Sequence, residues 1–454
     1  MKRIVEHLVT GFREAAARRS GQGRRVGSEL KFPLVNARGE AAPREAVAAL
    51  WAFLVGRGWE PAVDPLTGRV VGATMPGEHN DTIASCETGY CKPEFSLAHV
   101  GDLGALRDAV ERLRHTLRAF SDREGVRFLG YGIQPKTPPS KRLLIRQSRT
   151  AFWGRAFRSN RAIAPRDGDD VHLFTINASS QVHVDVAEHE AVPAVNALNG
   201  LTAAQIALTA DSSVWRGCLD PEYKCVCEMF WDWWMPQGKR VGIPAQPFTD
   251  LTDYIHTVAR LRPVYVKRDG KPVGIMDGYR TFVEYYQAGG RARGVAHDGR
   301  DVPLTPCPDD IDQHATFYWY NARLSRYYTV ENRVNDQQPP DELLCVPALT
   351  LGLLEALPEA VEIVASYAWN DLAAARTAAC REGLEAIEGG VAVDELAGRM
   401  LGAAQAGLER RGLGEEQFLE PLWQRLKARR CPADAAADTF AKGGVEALVA
   451  ARRI

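Results

Sequence analysis

The sequence predicts an α+β fold in which strands carrying acidic side chains are covered by helices and followed by a helical C-terminal region. β-prone runs with alternating polar and apolar residues recur before about residue 340, and apolar stripes at helical spacing lie between them. From about Pro339 the composition shifts to Ala, Leu, Glu and Arg. A chain of 454 residues that is 45% hydrophobic can bury a substantial core. We therefore divide it into residues 1–340 and a helical region, residues 341–454.

The individual elements follow from local patterns. Strands are predicted around the acidic residues Glu29, Glu87 and Glu94 and over residues 174–186. An amphipathic helix is predicted at the N-terminus, and others over residues 43–58, 103–120, 190–209 and 250–261. The helix over residues 103–120 has one apolar stripe, so it can cover one face of a sheet. In the C-terminal region, apolar stripes separated by polar faces predict helices that pack around the sheet or form an oligomer contact.

Composition excludes several classes of protein. The formal net charge is −1 and no basic tract is present, so nothing favours a nucleic-acid partner. The longest apolar run, residues 46–55, is far shorter than the ~20 residues of a membrane-spanning helix. Nine cysteines, an odd number spread over a long chain, argue against a secreted disulfide framework. We therefore expect a cytoplasmic protein with no membrane partner.

The most informative segment is residues 323–333, where Glu331 and Arg333 stand two positions apart in a strand-like run. Residues i and i+2 of a strand point to the same face. A carboxylate suits Mg²⁺, and a guanidinium suits the oxygens of a phosphoryl group. Taken alone, the pair is also compatible with a solvated ion pair.

Other segments carry similar side chains. Glu29 lies inside the first strand-like run, and Glu87 and Glu94 bracket a Gly/Pro turn. In residues 174–186, strict alternation puts Gln181, His183 and Asp185 on one face, where Asp185 is a candidate for orienting His183. Four strand-borne clusters of metal-type ligands therefore precede residue 340.

Together with the segment Phe-Leu-Gly-Tyr-Gly-Ile-Gln-Pro-Lys at residues 128–136, these clusters resemble, in order and spacing, the glutamate-cysteine ligases of plant and proteobacterial type. That family is a branch of the glutamine-synthetase-like carboxylate-amine ligases. The resemblance covers residues 20–360. It implies a curved, mainly antiparallel sheet and makes residues 1–340 the ATP- and Mg²⁺-dependent ligase domain.

The resemblance also implies roles for individual residues. The expected Mg²⁺ ligands are Glu29, Glu87, Glu94 and Glu331. The expected nucleotide-binding residues are Gln181, His183, Gln134 and Lys31. The expected catalytic cations are Arg333, Arg240 and Lys224. Such a set suits phosphoryl transfer, since a triphosphate and a substrate carboxylate bring a net charge of roughly −5 that about two or three divalent ions and an arginine would balance.

The chain departs from the family pattern at three places. Lys31 stands where the family has a second glutamate of Glu-x-Glu, so either one metal site is absent or Lys31 replaces an ion. Asp211 occupies an asparagine position, and Cys227 falls where an arginine is expected, for which Lys224 or Arg240 would substitute. These departures are expected near the substrates.

Three further features bear on the site. Residues 232–248 and 287–310 are rich in Gly, Pro and charge, and we interpret both as active-site loops or lids. The aromatic clusters at residues 231–235 and 317–320 either wall a substrate or adenine pocket or form core contacts. Cys86 and Cys91 flank Glu87, and a reversible disulfide between them is a hypothesis for regulation.

The reaction implied by the resemblance is ATP-dependent joining of the γ-carboxylate of L-glutamate to the amino group of L-cysteine through an acyl phosphate. The alternatives are a ligase of the same mechanism with another acid or amine, a degenerate homologue that binds nucleotide without turnover, and a metal-dependent hydrolase. The expected partners are small molecules, and the expected oligomeric state is a monomer or a homodimer.

Overall fold

The computed structural model describes residues 2–19, 23–77, 80–157, 168–276, 278–325 and 328–454. The strands are β1 (Val26–Lys31), β2 (Leu34–Val35), β3 (Glu60–Val63), β4 (Val70–Met75), β5 (Thr82–Cys86), β6 (Pro93–Ser96), β7 (Arg127–Phe128), β8 (Ser180–Asp185), β9 (Val214–Trp215), β10 (Cys218–Leu219), β11 (Val241–Gly242), β12 (Tyr265–Arg268), β13 (Lys271–Ile275), β14 (Ala292–Val295), β15 (Asp301–Leu304), β16 (Trp319–Tyr320), β17 (Ala322–Leu324), β18 (Thr329–Asn332), β19 (Ile387–Glu388) and β20 (Val391–Ala392).

The helices are α1 (Lys2–Arg19), α2 (Arg44–Val55), α3 (Leu103–Glu124), α4 (Trp153–Ala156), α5 (Glu188–Gly200), α6 (Thr202–Thr209), α7 (Val226–Trp234), α8 (Leu251–Ala259), α9 (Phe282–Gln287), α10 (Asp310–His314), α11 (Cys345–Glu355), α12 (Leu357–Ala365), α13 (Trp369–Glu382), α14 (Val393–Arg411), α15 (Glu420–Ala428) and α16 (Pro432–Arg452). Short 3-10 helices lie at Ser148–Thr150, Asp170–Thr175, Gly289–Arg291, Gly383–Glu385 and Glu415–Leu419.

A large antiparallel sheet organises the fold. Within the described residues it contains eight strands in the order β17-β18-β8-β1-β6-β5-β4-β3, and every neighbouring pair is antiparallel. Helices from both halves of the sequence pack around it. The α+β prediction is therefore confirmed.

The register of the sheet brings the candidate residues to one face. Lys31 lies opposite Glu94, and Glu29, two residues earlier, lies opposite Gln181. On the next pair, His183 lies opposite Glu331. Directly opposed side chains of antiparallel strands share a face, as do residues i and i+2 of one strand. The strands β6, β1, β8 and β18 therefore present one continuous row of these side chains.

The helical C-terminal region is part of the same hydrophobic core. Helix α11 packs on β8 and β1, and α14 packs on α11 and α6. One cluster of buried side chains includes Leu30 of β1, Val182 of β8, Leu349 of α11 and Leu401 of α14. The helices predicted from apolar stripes before residue 340 are also present as α1, α2, α3, the α5–α6 pair and α8.

The C-terminal end of α16 joins an earlier segment. Leu129 and Arg453 form an antiparallel bridge. The Gly130 N–H donates to the Arg452 carbonyl at 2.8 Å, and the Ile454 N–H donates to the Phe128 carbonyl at 2.9 Å. Residues 128–130 are thus held by residues about 320 positions later.

A second, smaller sheet has the order β12-β13-β14-β15. It has its own cluster of buried side chains, which includes Val266, Ile275 and Leu304 and is completed by Ile4 of α1. Residues 287–310, interpreted from the sequence as a loop or lid, contain both β14 and β15. Gly294 and Pro303 lie in these strands and Gly299 lies between them, while the other Gly and Pro residues lie on either side, which explains a composition that resembles a loop.

No single helix among the described residues combines the length and hydropathy of a membrane span, whereas the bent pair α5–α6 meets both criteria when its two helices are taken together.

Candidate active site

A cavity of about 770 Å³ opens over the row of side chains on the sheet. Seven of the residues selected from the sequence line it, namely Glu29, Glu87, Glu94, Gln181, His183, Glu331 and Arg333. The two halves of the motif at residues 323–333 also meet here, because Arg323 lines the same cavity. Arg326 and Tyr327 of that motif lie outside the described residues.

Three of these side chains are arranged like metal ligands. Within the described residues, Glu29, His183 and Glu331 form a group whose candidate ligand atoms all lie within 4.8 Å of one another. His183 Nε2 is 3.0 Å from Glu29 Oε1. Its Nδ1 is 3.0 Å from Thr329 Oγ1, so Thr329 orients the imidazole from the neighbouring strand. The sequence had pointed to Asp185 for this role.

Glu331 lies between two arginines. Arg323 Nε donates to Glu331 Oε2 at 2.8 Å, and Arg333 Nη1 donates to Glu331 Oε1. Arg333 Nη1 also lies 3.2 Å from Gln181 Oε1. Burial and the nearby charge of Arg323 lower the pKa of Arg333 to about 9, which leaves it charged at neutral pH.

Lys31 lies deeper, beneath the cavity floor. Its ammonium is 3.2 Å from Glu29 Oε2 and 3.4 Å from Glu94 Oε2, and its side chain is 1% exposed. Burial opposes the charged form, but the carboxylates of Glu94, Glu87 and Glu29 outweigh it and raise the pKa of Lys31. Lys31 is therefore an internal cation that pairs with the sequence-predicted metal ligands.

The other two candidate metal ligands differ from each other in charge. Glu87 accepts a hydrogen bond from Arg149 at 2.7 Å. Burial alone would raise the pKa of Glu87, but Lys31 and Arg149 outweigh it and hold the pKa at about 2. Burial raises the pKa of Glu94 to about 7 against the attraction of Lys31. Glu87 is thus ionised at neutral pH, while Glu94 takes up a proton more readily than Glu87.

Sequence reasoning missed four cations of the cavity wall, Lys92, Arg149, Lys267 and Arg323. Lys92 Nζ donates to both the carbonyl and the side-chain oxygen of Asn177 at 2.8 Å, and burial lowers its pKa to about 8. Arg323 had a detectable signal, since it begins the motif that ends with Arg333. Arg149 has none, because it lies in a short 3-10 helix outside any strand.

Aromatic side chains form a large part of the cavity wall. Trp231 and Trp319 lie with ring centroids 5.6 Å apart. Trp233 and Trp234, predicted alongside Trp231, pack instead against core aromatic rings. Among the described residues, the aromatic lining consists of Trp153, Phe157, Phe174, Trp231, Tyr265, Phe317 and Trp319. The two alternatives drawn from the sequence, pocket wall and core, therefore both apply to the same aromatic cluster.

Three predicted site residues are not brought to the cavity. The Gln134 side chain donates to the Gly39 carbonyl at 2.8 Å and accepts from the Lys136 and Thr137 N–H groups, so it holds a turn together. Arg240 Nη2 donates to the Arg262 carbonyl at 2.6 Å, and Lys224 pairs with Asp434 at 2.8 Å. The structure does not place these three side chains in the cavity, because spacing along the chain does not give the path of a loop.

The departures at residues 211 and 227 also lie away from the cavity. Asp211 is buried, and its Oδ1 accepts from Arg452 at 2.9 Å. Cys227 lines a separate space of about 20 Å³ that shares Arg333 and Trp231 with the main cavity. Cys227 thus stands behind the wall of the site. Residues 232–248, interpreted as a loop or lid, contribute none of the described lining residues.

Cys86 and Cys91 are free thiols in the structure. The Cys86 thiol donates to the Tyr90 carbonyl at 3.3 Å, and both cysteines are buried. Burial raises the pKa of Cys91 to about 12, which makes it a poor nucleophile for disulfide exchange. The structure therefore favours stable thiols over the hypothesised redox switch.

We expect ATP consumption by the wild-type chain and by a Cys86→Ser/Cys91→Ser variant to be equal in dithiothreitol and in oxidised glutathione. The Cys218→Ser variant is the control, because Cys218 is an exposed thiol that an oxidant can modify. A loss of wild-type activity in oxidant that the double variant resists would instead support the disulfide.

The chain is similar to known proteins in sequence and in fold. Residues 25–451 match the family described as glutamate-cysteine ligase family 2. No curated protein matches the chain by sequence. A glutamate-cysteine ligase from Francisella tularensis, solved in complex with AMP, has 10% sequence identity and a TM-score of 0.53, and the match covers 95% of this chain and 87% of that chain.

Two other solved structures are similar at lower scores. A bifunctional glutathione synthetase from Pasteurella multocida has 10% identity and a TM-score of 0.49 over 98% of this chain and 51% of that chain. A complex of the ubiquitin-like protein Pup with its ligase PafA has 11% identity and a TM-score of 0.36 over 92% of this chain and 65% of that chain. Since the family match spans nearly the whole sequence, the chain belongs to glutamate-cysteine ligase family 2, whose members are ATP-dependent carboxylate-amine ligases.

Proposed function

We propose that the protein joins the γ-carboxylate of L-glutamate to the amino group of L-cysteine with consumption of ATP. The observation that carries the proposal is the Glu29, His183 and Glu331 group beside Arg323 and Arg333, in a cavity of about 770 Å³. Two carboxylates with an imidazole suit a divalent cation, and two guanidinium groups suit phosphate oxygens. The family match supplies the reaction class.

The donor set fits Mg²⁺, and Mn²⁺ equally, because it offers two hard carboxylates and one imidazole within 4.8 Å. Glu29, His183 and Glu331 would hold the ion. When bound, the ion would supply charge neutralisation for the transferred phosphoryl group.

The chain's own cations contribute the rest. Arg333 and Arg323 stay charged at neutral pH while buried, so they can neutralise phosphate oxygens with little reorganisation. Lys92 and Arg149 line the same wall.

The γ-carboxylate oxygen of glutamate attacks the terminal phosphorus of ATP and ADP leaves. The amine nitrogen then attacks the acyl carbon, phosphate leaves, and the nitrogen releases a proton to solvent.

Residues 1–340 would provide this chemistry and residues 341–454 would support it. The cytoplasmic location and the monomeric or homodimeric state stay predictions from the sequence. ATP and Mg²⁺ are part of the proposal.

The test is ADP release by the full chain with Mg²⁺-ATP and L-glutamate, with and without L-cysteine, and identification of the product by mass. We expect ADP release that depends on cysteine, with γ-glutamylcysteine as the product. Replacement of L-glutamate by D-glutamate is the matched control. ADP release that is independent of cysteine would contradict the assignment of the amine.

A second candidate is a ligase of the same mechanism with a bulkier amine. It is favoured by the aromatic lining of the cavity, since indole and phenyl rings offer a large apolar surface, of which the small cysteine side chain can contact only a part. A screen of amines in the same ADP assay separates the two candidates. Absence of ADP release throughout the screen would support a nucleotide-binding homologue without turnover.

A further inference from the structure

The Lys31 ammonium is a positive charge that the Glu29 and Glu94 carboxylates share. The ammonium lies between two carboxylates, 3.2 Å from Glu29 Oε2 and 3.4 Å from Glu94 Oε2. The charge of Glu87 acts on it as well. A buried carboxylate group of this kind requires a compensating positive charge. Here a side chain provides that charge, and it does so before any ligand binds.

The backbone fixes Lys31 in this place. Lys31 pairs directly with Glu94 across β1 and β6, so the two side chains share a face. The Lys31 N–H donates to Gln337 Oε1 at 2.9 Å, which ties β1 to the segment after β18. The side chain is 1% exposed, so the ammonium is shielded from solvent.

The two oxygens of Glu29 face different cations. Oε2 pairs with Lys31, while Oε1 faces His183 on the side of the proposed ion. A divalent ion at Glu94 would share its oxygens with the ammonium and be repelled by it. Glu94 Oε2 is buried and has no hydrogen-bond partner other than this ion-pair contact. The remaining ion position is therefore the Glu29, His183 and Glu331 group.

We propose that the Lys31 ammonium permanently replaces one divalent cation, so that the protein itself holds a single ion, at Glu29, His183 and Glu331. This inference rests on the proposed function for the identity of the ion, but it makes a separate claim about how many ions the chain binds. Glu87 and Glu94 then serve as counter-charges for Lys31 and Arg149 rather than as ion ligands.

The test counts Mn²⁺ bound to the full chain without nucleotide, from the electron paramagnetic resonance signal of free Mn²⁺. We expect the wild-type chain to bind one Mn²⁺. The Glu331→Gln variant should bind it at least tenfold more weakly, and the Glu94→Gln variant within about twofold of wild type. The Lys31→Glu variant, which restores a carboxylate, should bind two.

Each other result overturns the inference. The inference is wrong if the wild-type chain binds two Mn²⁺ ions or none. It is also wrong if Glu94→Gln and Glu331→Gln weaken Mn²⁺ binding equally. A folded Lys31→Glu variant, judged by circular dichroism, that still binds one ion would also contradict it. If that variant does not fold, the wild-type count and the Glu94→Gln and Glu331→Gln pair still decide. Because no substrate is present, failure of the ion count is distinguishable from failure of the ligase assay.

Discussion

The Glu331→Gln variant is expected to lose at least about a hundredfold in turnover while it remains folded. Glutamine keeps the shape of the side chain and one acceptor oxygen for Arg323, so the sheet is retained. It removes the negative charge that Glu331 contributes to the ion position and that it presents to Arg323 and Arg333. ADP release under saturating substrates measures the effect, and thermal unfolding checks the fold.

The control for this variant is Glu359→Gln. Glu359 also pairs with an arginine, Arg410, at 2.6 Å, but the pair is about half exposed on the surface. Surface pairs of this kind contribute little, so its activity should match wild type. Equal activity of the Glu331→Gln variant and wild type would remove Glu331 from the site.

The second large effect is expected at Arg376, whose replacement by methionine should lower the free energy of unfolding by about 3–5 kcal/mol. Arg376 is fully buried and donates to Glu228 at 2.7 Å, to Asp232 at 2.8 Å and to Asn321 at 3.1 Å. Methionine fills a similar volume but leaves the buried Glu228 carboxylate and the partly buried Asp232 carboxylate without this cation. Urea unfolding followed by tryptophan fluorescence measures the change.

Arg381 provides the matched control on the same helix, α13. It pairs with Glu222 at 2.9 Å, and both side chains are about half exposed. The Arg381→Met variant should therefore unfold within about 0.5 kcal/mol of wild type. If both variants unfold alike, the buried network around Arg376 does not stabilise the fold.

Helix α7 carries Glu228 and Asp232 as well as Trp231 of the cavity wall, so a loosened α7 should also disturb the site.

The strand-borne part of the site could be predicted from the sequence because alternation determines which side chains share a face. His183 and Gln181 are two residues apart on β8, and Glu331 and Arg333 are two residues apart at the end of the motif. The geometry of a strand therefore places the two members of each pair on one face, and both pairs line the cavity. Which strands are neighbours does not follow from alternation. The resemblance to a known family predicted that these residues form one site.

The loop-borne part could not be predicted, for a physical reason. Gln134 lies in the segment most similar to the family, yet its side-chain amide is hydrogen-bonded to backbone groups of a turn. Arg149 is distant from every motif in sequence but reaches Glu87 through the fold. The position of such side chains depends on long-range packing, which no local pattern records.

The departure at Lys31 was visible in the sequence, but its outcome was not. A lysine in place of a glutamate allowed either the absence of an ion or its replacement. The distances to Glu29 and Glu94 favour replacement, because the ammonium lies within ion-pair range of both. The register Lys31 opposite Glu94 supports replacement, and it exists only in the sheet.

During biosynthesis, residues 128–130 can pair with residues 452–454 only after the ribosome has reached the later segment. At ribosomal rates of about 5–20 residues per second, roughly 15–65 s pass between synthesis of Leu129 and of its partner Arg453. During that interval the backbone groups of this segment that bond residues 452–454 lack these partners. The nascent chain therefore emerges with an incomplete edge next to the turn at Gln134, and a chaperone that shields this edge would act on a specific, transient species.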